Sequence, residues 1–554
     1  MTTRSAALVA AIVTVSCVLY NAWCFGFVPL EADAVSYMFQ ARLFAQGRVT
    51  APPPPSLGFL PSANMNVGKE GAHSKYPPGN ALAIALGVVA GAPWLIPALA
   101  AGGAVYLLYL ILLETTDRKT AGVGVVLAAL SPPTVVMGAV WFSESVSRFC
   151  IGLFLFGALR AFRTRQTGYA ILSGLALGYA FDTRPLTAVA IGAAAMVVLA
   201  FHWRTSNTRR EALRLAASLT LAGALAASLT FWWNFKTTGE WLTTSFSAEQ
   251  KYDRLGFGTR GWGSAPEAGD LVQYQPVDAV RRTVFRTVPI VLQNTLGVGF
   301  YSPDAYDRLL HGTLATRAAA AGGLVLLLIP AGLIGAGALA WNSPVPRWIF
   351  LSIPTVVIAA YALYFFDGAY FGSTPTSGRY YTEATMFGLV PLAARGIVVT
   401  LDRWRNWRGP RRAFVATACA VLVGCYGYNQ YRFYVSLSDR ASGMRQADRE
   451  IRTLPSRRAV AFFEQLSPTP LGDAPFTDLA NARVITFRLF CAPAYGLRES
   501  DLSEVYRRYF QGREAFLFTP ARQLRRLSEE ELARGTPGCG EGQPTTQKRV
   551  WNGE

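Results

Sequence analysis

The chain has 554 residues, of which 51% are hydrophobic and 16% charged, against about 25% charged in soluble domains. Its net charge of +18 would suggest nucleic acid in a soluble protein. Here much of the excess falls in short loops between apolar stretches, where membrane topology accounts for it, so no nucleic-acid partner is expected.

The first apolar stretch, residues 5–28, is too long and too poorly terminated for a cleaved signal peptide, so a retained anchor is expected. Immediately beyond it stand Glu31 and Asp33, followed by Val35, Met38, Phe39 and Leu43 at helical spacing. Gln40, Arg42 and Gln46 fall on other faces, so the pattern predicts a helix lying in the membrane interface. Pro52 to Pro55 hold the chain extended, because each ring fixes φ and removes a donor. Lys75-Tyr76-Pro77-Pro78-Gly79 then returns a cation and an aromatic ring to the membrane surface.

Asn80 to Gly91 is apolar but too short for a span, and a re-entrant helix is expected there. With that assignment Arg118-Lys119, Arg163, Arg165, Arg204, Arg209 and Arg210 all face the cytoplasm. Spans are predicted near residues 94–113, 120–140, 146–162, 168–183, 185–203, 213–233, 319–341, 348–366, 386–401 and 413–429. With the anchor they make about 11, placing the N-terminus inside and the C-terminus outside. The outer side then receives residues 29–93, 234–318, 367–385 and everything after about 430.

Within the second outer segment, Val277, Val280, Val284, Val288 and Val291 share one face, with Arg281, Arg282 and Arg286 elsewhere. A basic interfacial helix is predicted, suited to anionic lipid or a phosphate donor. Residues 431–533 change character: Ala459–Phe463, Val484–Phe487 and Ala515–Phe518 read as strands and Ser500–Gln511 as a helix. A small α/β domain is expected, with a disordered tail over 534–554. The fold class is therefore mainly α, a polytopic helix bundle carrying an extracytoplasmic α/β domain. Cysteines inside spans read as small apolar fillers, while Cys491 and Cys539 could pair outside. Glycine pairs such as Gly122 with Gly124, or Gly322-Gly323, lack a strand–helix context and read as helix-packing positions, not phosphate loops.

Asp33 just outside the first span, Tyr37 with Gln40-Ala41-Arg42, and the later Lys75-Tyr76-Pro77-Pro78-Gly79 together resemble the GT-C glycosyltransferases. Within them the chain resembles the bacterial relatives of protein O-mannosyltransferases and lipid A aminoarabinose transferases. Arg184-Pro185, Arg379-Tyr380-Tyr381-Thr382-Glu383 and the Asn234…Thr238-Gly239 turn resemble further elements of that subgroup. The resemblance covers roughly residues 1–430.

The resemblance implies a sugar taken from a polyprenyl-phosphate donor and passed to a glycan, lipid or protein outside a bacterial cytoplasmic membrane. Inverting transfer needs one carboxylate to take the proton of the attacking hydroxyl. Asp33 is the candidate, since desolvation at the membrane edge strengthens a carboxylate as a base. The subgroup's second acidic residue is replaced here by Ala34, and Glu31 is its candidate substitute. Lys75, Arg184 and Arg379 are the candidates for the departing lipid phosphate, which needs fixed cations. Tyr76 and Tyr380 accompany them in the substrate-binding set. Glu144 and Glu383 are candidates for shaping an acceptor region or holding a divalent metal ion, although no cofactor is certain. Against these stand plainer readings: Asp33 as a helix cap, the arginines snorkelling to headgroups. The rival function is a lipid or glycolipid transporter, which would require ionisable groups at the bilayer midplane.

Overall fold

The computed structural model describes residues 1–29, 31–62, 64–68, 70–204, 209–249, 252–261, 271–296, 305–365, 378–404, 409–454, 458–464, 483–489, 502–518 and 524–534. The chain divides into two compact units. One comprises Met1–Tyr20, Trp94–Thr230 and Gln275–Ser436; the other comprises Asn21–Pro93, Phe231–Tyr274 and Leu437–Glu554.

The first unit is a helix bundle. Among the described residues, seven helices are long and apolar enough to cross a membrane, or eight if one bent pair counts as a span, against the eleven or so expected. The chain is an integral membrane protein. The bent pair corrects the continuous span predicted over 120–140. Arg118–Leu130 and Pro132–Ala139 meet at 54°. Ser131-Pro132-Pro133 is the cause: the prolines remove backbone donors, and Ser131 is pushed to an extended conformation with ψ 123. Residues 168–183 and 185–203 do form helices, Thr167–Thr183 and Pro185–Arg204, joined tightly at Arg184-Pro185.

Glycine sets the closest helix approaches in this bundle. A Cβ on Gly174 or Gly178 would collide with the Leu219 or Gly223 carbonyl, and one on Gly337 or Gly396 with that of Leu392 or Leu333. Backbones can come this near only without side chains, as in other membrane bundles. Gly322, named from the sequence for the same role, faces open space.

Pro276 to Leu296 is continuously helical, with a π-turn at Thr283–Thr287. Val277, Val280, Val284 and Val288 are exposed, while Val291 is buried. Arg282 turns inward and donates to the Tyr361 and Ala362 carbonyls at 3.1 and 3.4 Å.

The second unit is assembled from three distant stretches. The helix Ala32–Ala45 and the short helix Pro78–Val89 flank a hairpin of Met65–Gly68 and Gly71–Ser74. The C-terminal stretch forms a four-stranded sheet ordered Val484–Leu489, Ala459–Glu464, Glu514–Phe518, Leu524–Arg526. Its first three strands run parallel and the last antiparallel. The three predicted strands and the helix near 502–510 are present.

Strand alternation sends Ala459, Ala461 and Phe463 to a core with Ala447 and Ile451. Phe462 faces the other way, onto Phe510 with ring centroids 5.6 Å apart. Phe59, from the loop after the proline run, packs on Phe487 and Phe510 at 5.0 and 5.4 Å. The loop carrying Phe59 thereby packs on the C-terminal sheet. The boundary expected near residue 430 lies within one helix, Pro410–Thr453. The tail over 535–554, Cys491 and Cys539 lie outside the described residues.

Candidate functional site

In the second unit, Glu31 occupies the cap position of the helix Ala32–Ala45, and Asp33 lies in its first turn. The helix does not expose one polar face: Ser36, Tyr37, Gln40 and Ala41 are as buried as Val35 and Phe39. Its polar side is occupied. Gln40 accepts from the Ser74 amide at 3.0 Å and donates to the Val49 carbonyl at 2.7 Å. The Ser36 hydroxyl lies 2.6 Å from the Asn64 carbonyl and 2.8 Å from the Ser74 hydroxyl. These bonds lock the loop 49–74 onto the helix and so place what surrounds Asp33.

Asp33 is 6% exposed. Its Oδ1 accepts from Asn64 Nδ2 and from the Tyr76 hydroxyl, each at 2.6 Å. Tyr76 is itself stacked on Tyr37, with centroids 4.8 Å apart. Lys75 is 1% exposed, its amide bound to the Asn64 carbonyl at 3.1 Å. Its ammonium stands 4.8 Å from the Phe246 ring and 5.3 Å from Tyr76. Asn64 and Tyr76 are thus both bonded to Asp33, and Asn64 also holds the Lys75 amide. No spacing or composition marks Asn64 in the sequence; only the hairpin brings it there.

His73 is buried beside them. Its Nδ1 lies 3.0 Å from the Gly71 carbonyl and its Nε2 2.8 Å from the Ser245 hydroxyl. A carbonyl only accepts, so Nδ1 carries the proton and Nε2 accepts from Ser245. This pair fixes the segment that carries Phe246 under the Lys75 ammonium. Burial pushes the His73 imidazole down to about 4, against a smaller opposing pull from the Gly71 hydrogen bond. Between about pH 6.5 and 4 the unfolded chain takes up a proton that folded His73 refuses. Stability is therefore expected to fall as pH drops through that window, by on the order of 3 kcal/mol at its lower end. Unfolding midpoints of the wild type and His73→Gln at pH 7 and pH 4.5 test this. The slope should be shallower in the variant, and an equal acid response in both would remove His73 as its cause.

The first unit gathers the other candidates. Glu144 opens the helix Ser143–Thr164, Arg184 caps the helix Thr167–Thr183, and Arg379-Tyr380-Tyr381 forms a 3₁₀ turn leading into Glu383. Arg184 pairs with Glu144 at 2.8 Å and with Glu383 at 3.7 Å, and Arg379 reaches the same Glu144 oxygen at 3.7 Å. Arg184 also donates to the Tyr361 hydroxyl at 3.1 Å. The Tyr380 ring stacks on Tyr361 at 4.9 Å and lies 5.5 Å from Arg184 and 5.2 Å from Arg379. All four charged groups are buried.

Two further residues complete this cluster and were not singled out from the sequence. Arg148, one turn after Glu144, is 1% exposed and interacts electrostatically with Glu383, Glu144 and Arg184. Asp182 is fully buried, its Oδ1 accepting from the Thr230 amide at 3.0 Å and hydroxyl at 2.6 Å. That bond ties two helices together at the turn carrying Arg184. A charge one turn inside an apolar helix was the available signal for Arg148.

Three buried guanidiniums, Arg148, Arg184 and Arg379, stand with the buried carboxylates Glu144, Glu383 and Asp182 in a dry setting. Such a cluster is costly unless its groups pair with one another or with an anion. Among the described residues, no group of three or more His, Cys, Asp or Glu is placed to hold a metal ion. Glu144 and Glu383, expected near an acceptor or metal, are engaged by arginines.

Residues 80–233 match a family model described as dolichyl-phosphate-mannose-protein mannosyltransferase. Among solved structures, ArnT from Cupriavidus metallidurans bound to undecaprenyl phosphate is similar over 94% of each chain, with 12% identity and a TM-score of 0.54. The archaeal oligosaccharyltransferase AglB from Archaeoglobus fulgidus, in complex with an inhibitory peptide and a dolichol-phosphate, aligns at 14% identity and a TM-score of 0.48. That alignment covers 87% of this chain and 64% of AglB, so the chain spans less than two thirds of that protein's length. Arabinosyltransferase EmbB from Mycobacterium smegmatis aligns over 81% of this chain and 41% of its own, at 13% identity and a TM-score of 0.34. No curated protein sequence matches. The family model and the ArnT likeness bear out the resemblance to the GT-C glycosyltransferases, and what the ArnT likeness shows is the fold.

Proposed function

We propose that this protein is a membrane glycosyltransferase that moves a sugar from a polyprenyl-phosphate donor to a hydroxyl of an extracytoplasmic glycan, lipid or protein, with inversion. The observation that carries the reading is Asp33, a buried carboxylate whose Oδ1 is fixed by two donors at 2.6 Å, one of them Tyr76, whose ring lies 5.3 Å from the buried Lys75 ammonium. A base held this way is oriented before the acceptor arrives, which is the entropic part of catalysis. In the proposed step Asp33 takes the hydroxyl proton as the acceptor oxygen bonds to the anomeric carbon. The bond from that carbon to the phosphate oxygen breaks, and its electron pair leaves with the lipid phosphate.

Arg184 and Arg379 are assigned to that phosphate, as is Lys75, because fixed cations stabilise the charge that develops there. Tyr380 sets its ring near both guanidiniums, and Tyr76 positions Asp33. Glu144 and Glu383 act through Arg184 and Arg379. Glu31 is assigned to the acceptor side. The protein belongs, on this reading, in a bacterial cytoplasmic membrane with its N-terminus inside and its C-terminal sheet outside.

The rival is a transporter of the same lipid-linked sugar. Purified protein in liposomes containing a polyprenyl-phosphate sugar and an envelope acceptor separates the two. The enzyme is expected to release free polyprenyl phosphate and glycosylated acceptor in equal amounts. Movement of intact donor across the bilayer without bond cleavage would establish the transporter.

A further inference from the structure

Within the first unit, Arg148 lines a cavity of about 10 Å³, room for a single water. The broken span contributes Ser131 to its wall, the helix ending at Leu296 contributes Asn294, and the segment after Arg379 contributes Thr382 and Thr385. Arg148 is 1% exposed. Its Nη2 donates to the Ser145 hydroxyl at 3.1 Å, while its buried Nε has no hydrogen-bond partner among the described residues. We propose that this cavity holds one ordered water that joins Arg148 to Thr382, and that Arg148 is thereby a positioning residue for Glu383 and Arg184.

The protons of the lining hydroxyls identify the occupant. Thr382 donates to the Glu383 carboxylate at 3.0 Å, Thr385 to the Tyr381 carbonyl at 2.9 Å and Ser131 to the Asn294 carbonyl at 3.3 Å. Carbonyls and an ionised carboxylate only accept, so each hydroxyl commits its one proton there and can only accept from whatever fills the cavity. Arg148 presents the reverse need, a buried N–H that is costly to leave without an acceptor. A halide would accept from Arg148 but give nothing to the hydroxyls, and it is larger than a water. A metal ion would meet the charge of the guanidinium. Water accepts, donates and fits.

What Thr382 holds gives the water its consequence. Thr382 is bonded to Glu383 Oε2, and Oε1 of the same carboxylate lies 3.7 Å from Arg184. A chain from Arg148 through the water and Thr382 therefore fixes the Glu383 carboxylate beside Arg184. The positioning role rests on the assignment of Arg184 to the donor phosphate; the water site does not.

Crystals of the full chain grown with bromide in place of chloride test the site. One oxygen-sized peak within hydrogen-bond distance of Arg148 Nε and the Thr382 hydroxyl, without anomalous signal, is expected. No peak there would overturn the proposal, and a bromide anomalous peak would assign the cavity to an anion and overturn it too. Turnover of a lipid-linked sugar tests the role. Ala128 also lines the cavity and is 1% exposed, so Ala128→Val expels the water without removing a polar group. Arg148→Lys keeps the charge but removes Nε. Each should lower turnover about tenfold, the scale of one hydrogen bond to a charged group. The double variant should be no slower than either single, because both remove the same link. Losses that multiply, or wild-type turnover in Ala128→Val, would remove the role. Should wild type transfer no sugar, the role falls with the glycosyltransferase reading, while the diffraction peak still decides the water.

Discussion

Replacing Asp33 by Asn is expected to lower glycosyl transfer roughly 10²- to 10⁴-fold, the range for losing a general base, while donor-lipid binding survives. The substitution suits the surroundings. Asn retains an oxygen that can accept from Asn64 and Tyr76 at the position where Asp33 Oδ1 accepts from both at 2.6 Å. What it removes is the capacity to take a proton. A loss in turnover with little change in donor affinity, measured with lipid-linked sugar and a fixed acceptor, is the expected pattern. Tyr76→Phe should give a smaller loss, because the ring still stacks on Tyr37 while one orienting bond is gone. Unchanged turnover in Asp33→Asn would remove Asp33 from the mechanism and leave the buried carboxylate as a structural anchor of the loop that carries Asn64 and Tyr76.

The second large effect is expected at Glu144, and it concerns stability before activity. One Glu144 oxygen serves Arg184 at 2.8 Å and Arg379 at 3.7 Å. Glu144→Gln takes from Arg184 and Arg379 the charged oxygen that both reach. Breaking a buried pair from one side costs about 3–5 kcal/mol, because an unpaired charge remains in a low dielectric. A denaturant titration in detergent should show a loss of that order, and a wild-type midpoint would show that the cluster is not what holds these helices. Arg379→Lys separates the other role. It keeps the charge that Glu144 needs but loses the planar fork suited to phosphate. Stability near wild type with a fall in turnover is expected there, and a larger fall for Arg379→Ala.

The membrane character of the chain was legible in the sequence because apolar length and loop charge are one-dimensional properties. So were the C-terminal strands, whose alternation at Ala459–Glu464 is a local consequence of the pleat. Asp33, Lys75, Arg184 and Arg379 could be picked out because charges bordering apolar runs are conspicuous. The tertiary structure alone decided what those charges touch. Arg184 and Glu144 lie forty residues apart in the chain, and Glu383 is farther still, so no spacing rule could pair them. Asn64, which binds Asp33 and Lys75 together, is an unremarkable amide until the hairpin folds back on the helix. Ser131-Pro132 was a local break hidden inside an apolar run, where hydropathy outweighed proline geometry. Composition also suggested a division near residue 430, because the sequence changes character there. Folding divides the chain differently, since Phe59 finds its apolar partners in Phe487 and Phe510, and burial is a matter of which surfaces meet, not of where they lie along the chain.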